Sequence, residues 1–257
     1  MMPSACITGA SSGIGRAFAD QLAALGYDLI LTGRRREVLE GVAQELRRRH
    51  GGTVDISVGD LAQPETVQRL SEQLNNRPVD LLIHNAGFGH PGPFWETPLE
   101  DLAAMRAVHM GAATDLLHGV LRRTPPPKVI LVSSLAAFLP APGPALYTAT
   151  KTYLVALGRA LAPLFAQRGG TLQVLCPGFT HTEFHDRLDW DQERRRSRGL
   201  IRWATADAVA AASLRALERR SPWADAVFVP GLANRVLRRA LVLIPRRVYG
   251  RLVLGVR

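Results

Sequence analysis

Seven short apolar runs alternate with helix-length amphipathic segments along this chain, and that alternation most narrows what it can fold into. The runs are Ala5–Ile7, a second ending at Thr32, Val54–Val58, one from Val79 toward Gly87, Lys128–Ser134, Leu172–Cys176 and Ala226–Val229. They are apolar throughout rather than alternating, as strands covered on both faces are. Helices are predicted after the first loop to about Leu25, over Glu37–Arg49, from Pro64, over Leu99–Arg123, over Ala145–Gln167 and from an N-cap at Thr205 to Glu218. The triple proline Pro125–Pro127 stops the longest interval. Repeated strand–helix units of this kind imply one doubly wound parallel sheet of about seven strands with helices on both faces. No repeat, low-complexity stretch or linker interrupts it. The expectation is a single α/β domain over residues 1–230, followed by a basic amphipathic extension over 231–257 packed on or near it.

An apolar content of 47% and a charged content of 21% describe a globular protein and exclude a disordered one. At 257 residues a single domain buries about three quarters of its unfolded surface. The two cysteines, Cys6 and Cys176, lie in apolar runs and give no disulfide framework. The start M-M-P-S-A-C lacks the basic and apolar regions of a signal peptide, and no run of 18 apolar residues exists. A cytoplasmic protein is expected. Most of the net charge of +10 sits in residues 226–257, which carry seven arginines and no acid. Apolar residues there recur at helical spacing with Arg235, Arg238 and Arg239 on the other side, a pattern that can lie on an anionic membrane, close a substrate site or meet a second subunit. No recognition motif accompanies this charge, so nucleic acid is not expected as a partner.

The first run is followed at once by T-G-A-S-S-G-I-G, Thr8 to Gly15, and then by a helix. Three glycines let the backbone turn tightly and approach a ligand, and the helix points its free N–H groups back at the loop. Strand, glycine loop and helix together read as a phosphate cradle of the Rossmann type, formed by Gly9, Ser11, Ser12, Gly13, Ile14 and Gly15. A site for NAD would place an acid at the end of the second strand to grip the ribose 2′-hydroxyl. Gly33 stands there instead, followed by Arg34, Arg35 and Arg36. Guanidinium groups suit a 2′-phosphate, so NADP(H) is expected over NAD(H), with Arg34, nearest the strand end, as its ligand.

Y-T-A-T-K, Tyr147 to Lys151, places a phenol and an ammonium one turn apart on one helix face. Only two of the 32 basic residues are lysines and there are four tyrosines, so chance gives roughly 0.03 such spacings. An ammonium favours the charged form of a phenol, so Lys151 is expected to lower the Tyr147 pKa and fit it for acid–base work. Thirteen residues upstream, an apolar strand ends at Ser134, whose hydroxyl can donate to a carbonyl oxygen.

With the glycine loop, H-N-A-G, the serine and Y-x-x-x-K in this order, residues 4 to 230 resemble a short-chain dehydrogenase/reductase of the NADP-preferring type. The resemblance implies that Ser134 polarises a substrate carbonyl, that Tyr147 gives or takes the proton, and that Lys151 holds the nicotinamide ribose while tuning Tyr147. It implies that Asp60 and Leu61 flank the adenine and that Asn85, Ala86 and Gly87 line the cofactor cleft. Pro177, Gly178, Thr180 and Thr182 would meet the nicotinamide side. A homodimer or homotetramer is the family habit. One position departs from the family: His109 stands where an asparagine usually supports a water-mediated proton relay. Histidine can also hold a water and titrates nearer neutrality, so His109 either relays with a changed pH profile, weakens catalysis, or is merely packed in the helix. The remaining histidines, including His84, His90, His181 and His185, have no metal-ligand spacing. Phe179, Phe184, Trp190, Trp203, Phe88, Phe94, Trp95 and Phe138 fall in loops near strand ends, where an apolar or amphipathic carbonyl substrate would bind. The alternative is a catalytically weakened protein of the same fold that senses a nucleotide or acts at a membrane.

Overall fold

In a computed structural model, which describes residues 2–138, 144–186, 197, 202–221 and 224–243, the apolar runs pair into one parallel sheet. The first half of the chain forms β1 (Ser4–Thr8), α1 (Gly13–Ala24), β2 (Asp28–Gly33), α2 (Arg36–His50), β3 (Val54–Val58), α3 (Pro64–Asn76) and β4 (Leu81–His84). The second half forms α4 (Leu99–Arg106), a π turn (Ala107–Gly111), α5 (Ala112–Leu121), β5 (Lys128–Val132), a 3₁₀ turn (Leu135–Phe138), α6 (Ala145–Gln167) and β6 (Thr171–Leu175). Beyond these come β7 (Thr180–His181), α7 (Glu183–Asp186), β8 (Ala204–Thr205), α8 (Ala206–Glu218), β9 (Val227–Phe228) and α9 (Leu232–Leu243). Seven strands lie in the order β3-β2-β1-β4-β5-β6-β9, and every neighbouring pair is parallel. Strands β7 and β8 pair separately beyond the sheet.

Successive residues of each strand feed opposite faces. Cys6, Leu82 and Leu131 face a core completed by α3, α5 and α6, while Ile7, Ile83 and Ile130 face one completed by α1, α2 and α8. This is why the central runs are largely apolar, whereas β3 at the sheet edge, V-D-I-S-V, alternates. The strand order reverses between β1 and β4, so the connections on either side wind to opposite faces and leave a crevice at the carboxyl ends of these strands.

Local chemistry sets the boundaries. Thr205 Oγ1 accepts from the Ala208 amide at 3.1 Å, the expected N-cap, and Pro64 opens α3. The fourth strand ends at His84 and leads into the expected small-residue loop, where the amides of Asn85 and Ala86 turn onto Thr8 Oγ1, each at 3.0 Å. The long helix expected over Leu99–Arg123 is broken by the π turn, with His109 at its centre. Such turns insert one extra residue into a helix and re-aim the side chains around it.

Helix α9 also departs from expectation. Its arginines do not share an outward face: Arg238 turns inward, 4.7 Å above the Phe138 ring and 3.7 Å from the Asp225 carboxylate. Asp225 is in turn gripped by two Arg159 N–H groups at 3.2 and 3.1 Å. Leu232 and Val236 point to solvent instead, 70% and 46% exposed. Trp190 and the extension past Leu243 lie outside the described residues. Among the described residues no helix is long and apolar enough to cross a membrane.

Candidate active site

A cleft of about 650 Å³ opens at the carboxyl ends of the central strands. Its floor is the loop between β1 and α1. Asn85 Nδ2 donates to the carbonyls of Thr8 and Gly9, both at 3.1 Å, so the loop after β4 ties down the loop after β1. Gly9, Ser11, Ser12, Gly13 and Ile14 line the cleft, whereas Gly15 supports it from behind. A Cβ on Gly15 would lie 2.5 Å from Asn85 Nδ2 and nearer still to the Gly9 carbonyl oxygen. Helix α1 starts at Gly13 with no side chain bonded to its first amides, leaving them turned toward the cleft.

At one end of the cleft stand Gly33, Arg34, Arg35, Asp60 and Leu61. Arg34 Nη1 pairs with Asp60 at 3.6 Å. Arg35, which sequence reading passed over in favour of Arg34, donates to Ser11 Oγ at 3.2 Å and to Glu183 at 3.1 Å. Two guanidinium groups therefore stand at this end.

At the other end, α6 presents Tyr147 and Lys151, and the residue two past β5 is Ser134. Lys151 Nζ lies 5.6 Å from the Tyr147 ring centroid and donates to the Val132 carbonyl at 2.9 Å. Ser133 Oγ donates to the Lys151 carbonyl at 2.8 Å, so the lysine is fixed to the strand end at both its backbone and its tip. Burial of the ammonium pushes the Lys151 pKa down to about 8. The Tyr147 phenol moves opposite to the expected direction. Its apolar surroundings push it up to about 12, and the Ser134 hydroxyl, not the lysine, supplies the pull downward. Proximity to the ammonium predicts a lowered phenol; desolvation outweighs it.

Asn85, Ala86, Gly87, Pro177, Gly178, Thr180 and Thr182 all line the cleft between these ends. His109 does not line it. Its fully buried ring sits edge-on to both Phe88 and Tyr147, with centroids 5.7 and 5.9 Å away. Of the aromatic residues placed near the substrate by sequence, Phe88, Phe179 and Phe184 line the cleft. Phe184 meets the Tyr147 ring at 5.4 Å. Trp203 instead stacks on Phe179, Phe138 lies under Arg238, and Phe94 and Trp95 are exposed. Leu237 of α9 also lines the cleft, in the segment for which closing a substrate site was one of the expectations.

A nicotinamide dinucleotide fits this arrangement. Gly9, Ser11, Ser12 and Gly13 line its floor, no side chain caps the start of α1, where a phosphate would sit, and guanidinium groups stand at the far end.

A family model described as short chain dehydrogenase matches residues 3–193. A human protein named inactive hydroxysteroid dehydrogenase-like protein 1 is 32% identical over 184 residues, covering 69% of this chain and only 56% of that protein. The chain thus spans little more than half the length of that relative. The 1-deoxy-11-beta-hydroxypentalenate dehydrogenase of Streptomyces exfoliatus is 34% identical over 188 residues, covering 69% of this chain and 67% of that one. Among solved structures, a short-chain dehydrogenase from Sphingobium yanoikuyae in complex with NADPH superposes with a TM-score of 0.82 at 27% identity, covering 95% of this chain and 97% of that one.

Proposed function

The chain belongs to the short-chain dehydrogenase family, and from that premise we propose that it is an NADP(H)-dependent oxidoreductase interconverting a carbonyl compound and its alcohol. The observation that carries this reading is the placement of Ser134, Tyr147 and Lys151 at one end of a cleft whose other end holds Arg34 and Arg35. Bound there, the nicotinamide would exchange a hydride with the substrate carbon. The chain's own residues supply position, charge and a proton. Ser134 donates a hydrogen bond to the carbonyl oxygen and aligns it. Tyr147, protonated at neutral pH with its pKa raised to about 12, gives its proton to that oxygen in the reductive direction. The Lys151 ammonium then faces the phenolate left behind and stabilises it electrostatically. Oxidation runs the same steps backwards, with Tyr147 as base.

Arg34 and Arg35 are assigned to the 2′-phosphate, with Ser11 beside them. Equilibrium binding of NADPH and NADH to the parent, to Arg34→Ala and to Arg35→Ala tests this without a known substrate. NADPH is expected to bind tighter, and each variant to lose roughly 10-fold or more of that preference, the worth of one charge-assisted contact. Tighter NADH binding by the parent would overturn the assignment.

The substrate is assigned as an apolar carbonyl compound, because Phe88, Phe184 and Leu237 wall the cleft around Tyr147. The relative named 1-deoxy-11-beta-hydroxypentalenate dehydrogenase is the comparison that lends this reading support. A second reading, a weakened member that binds nucleotide without turning over, is favoured by His109 and by the relative named inactive. Helix α9 exposes Leu232 and Val236 beside Arg235 and Arg239, a face suited to an anionic membrane surface, and the family habit is a dimer or tetramer. Sedimentation reads both. The parent is expected to run as an oligomer and to pellet with anionic but not zwitterionic vesicles, and Arg235→Glu/Arg239→Glu to stay in solution. A monomer, or equal pelleting of parent and variant, would remove the corresponding idea.

A further inference from the structure

The two nitrogens of His109 are both committed to the protein. The Phe88 amide lies 2.9 Å from Nε2, and Thr150 Oγ1 lies 2.8 Å from Nδ1. A backbone amide can only donate, so Nε2 must present its lone pair and the ring proton must sit on Nδ1. That proton needs an acceptor. Thr150 Oγ1 qualifies, because its own hydroxyl proton is donated to the Tyr147 carbonyl at 2.8 Å. Donors and acceptors thus run in one direction, from the Phe88 amide through the ring and the Thr150 hydroxyl to the backbone of Tyr147. Each position has one consistent assignment.

We infer that His109 is a neutral positioning residue, a brace between the loop after β4 and the helix carrying Tyr147 and Lys151, and that it does not relay the proton of Tyr147. A relay needs a nitrogen free to hold a water, and neither nitrogen is free. A protonated ring would also turn an Nε2 donor against the Phe88 donor. The charged and titratable groups facing the ring are Lys151 and Tyr147 from α6 and His84 from β4. Burial, the Lys151 charge and His84 all hold its pKa well below the usual histidine value. The packing is close as well. A Cβ on Gly87 would lie 2.9 Å from His109 Nε2 and 3.3 Å from Lys151 Nζ, so ring and ammonium press together on one stretch of backbone.

The brace has a direct bearing on geometry. It fixes Gly87 and Phe88, which line the cleft, relative to Tyr147, and it does so through a π turn that aims the ring at both. The sequence leaves three roles open for this residue: a relay with altered pH dependence, a defect, or a ring merely packed in the helix. The two bonds of the ring turn the last of these into a positioning role.

The inference rests on the oxidoreductase reading for its catalytic meaning, but its test does not. Long-range proton–nitrogen correlation spectra of the parent report tautomer and charge for each histidine ring. The His109 signals are identified by their loss in His109→Gln, or by their displacement in Thr150→Val should the first variant not fold. A single Nδ1–H tautomer that does not titrate between about pH 5 and 8 is expected. Titration in that window, or a proton on Nε2, would overturn the inference whether or not the protein turns over a substrate. Kinetics give a second readout once a carbonyl substrate is found. His109→Gln is expected to lower kcat roughly 10-fold through misplacement while leaving the shape of the pH–rate profile unchanged. Disappearance of an ionisation from that profile would put His109 back in the proton path.

Discussion

Tyr147→Phe is expected to lower carbonyl reduction by about 10³-fold while leaving NADPH binding in place. The substitution removes one oxygen and keeps the ring that packs on Phe184 and His109, so the walls of the cleft should hold. On the proposed mechanism, what goes is the proton that Tyr147 would transfer to the substrate oxygen; Ser134 would be left to polarise it but not to complete the alcohol. Stopped-flow or steady-state consumption of NADPH with a reducible carbonyl compound reads the loss, and cofactor fluorescence reads the binding. A variant as active as the parent would remove Tyr147 from the mechanism. A parent that binds NADPH yet reduces nothing in a broad carbonyl panel would instead promote the weakened, nucleotide-sensing reading.

The same pair sets the pH dependence. Lys151, with its pKa near 8, carries its charge below that value and loses it as pH rises through it. Tyr147 keeps its proton until near pH 12. The reductive rate is therefore expected to be flat at neutral pH and to fall on the alkaline side of about 8, as the ammonium proposed to stabilise the developing phenolate disappears. The sign follows from Lys151, since the tyrosine is still protonated across that limb. A reductive rate that climbs through this region would contradict it.

The sheet was legible because burial on both faces leaves its signature in the central strands, the apolar stretches Leu81–Ile83 and Val129–Val132. Cradle and Y-x-x-x-K were legible because their chemistry is local, written in residues within seven positions of one another. The parts that escaped are those decided by distant partners. Arg35 meets Glu183, 148 residues away, and nothing around Arg35 announces it. Arg238 turns inward only because Asp225 and Phe138 wait there, so helical spacing found an amphipathic helix without finding which arginine faces in. The π turn depends on a ring bonded to Phe88 and, 41 residues on, to Thr150. The direction of the Tyr147 shift escaped for a related reason. Spacing reports the neighbouring charge, whereas desolvation is a property of the whole cleft wall.

Gly15→Ala carries the other large effect, and it separates binding from folding. Its new Cβ would lie 2.9 Å from the Gly9 carbonyl carbon and 2.5 Å from Asn85 Nδ2, and these are not the loose ends of flexible side chains. Gly9 is backbone, and Asn85 Nδ2 is held by the carbonyls of Thr8 and Gly9. Relief therefore requires the glycine loop to move away from α1 or the Asn85 clasp to open. Overpacking of this kind costs about 1–3 kcal/mol, which a domain with about 5–15 kcal/mol of stability survives. Binding is expected to suffer more, because a displaced cradle would misaim the amides assigned to phosphate, and each charge-assisted bond of about 1.5–3 kcal/mol lost is worth roughly 10- to 100-fold in affinity. Gly41→Ala supplies the contrast. Gly41 lies within α2 with nothing within 4 Å of an added Cβ, so alanine there should raise stability by about 0.5–1 kcal/mol through helix propensity and leave NADPH affinity untouched. Thermal melts and NADPH titrations of the two variants side by side should show Gly15→Ala folded but nearly unable to bind. If it binds like the parent, the loop from Gly9 to Gly15 is a turn and not the phosphate site, and the cofactor assignment loses its floor.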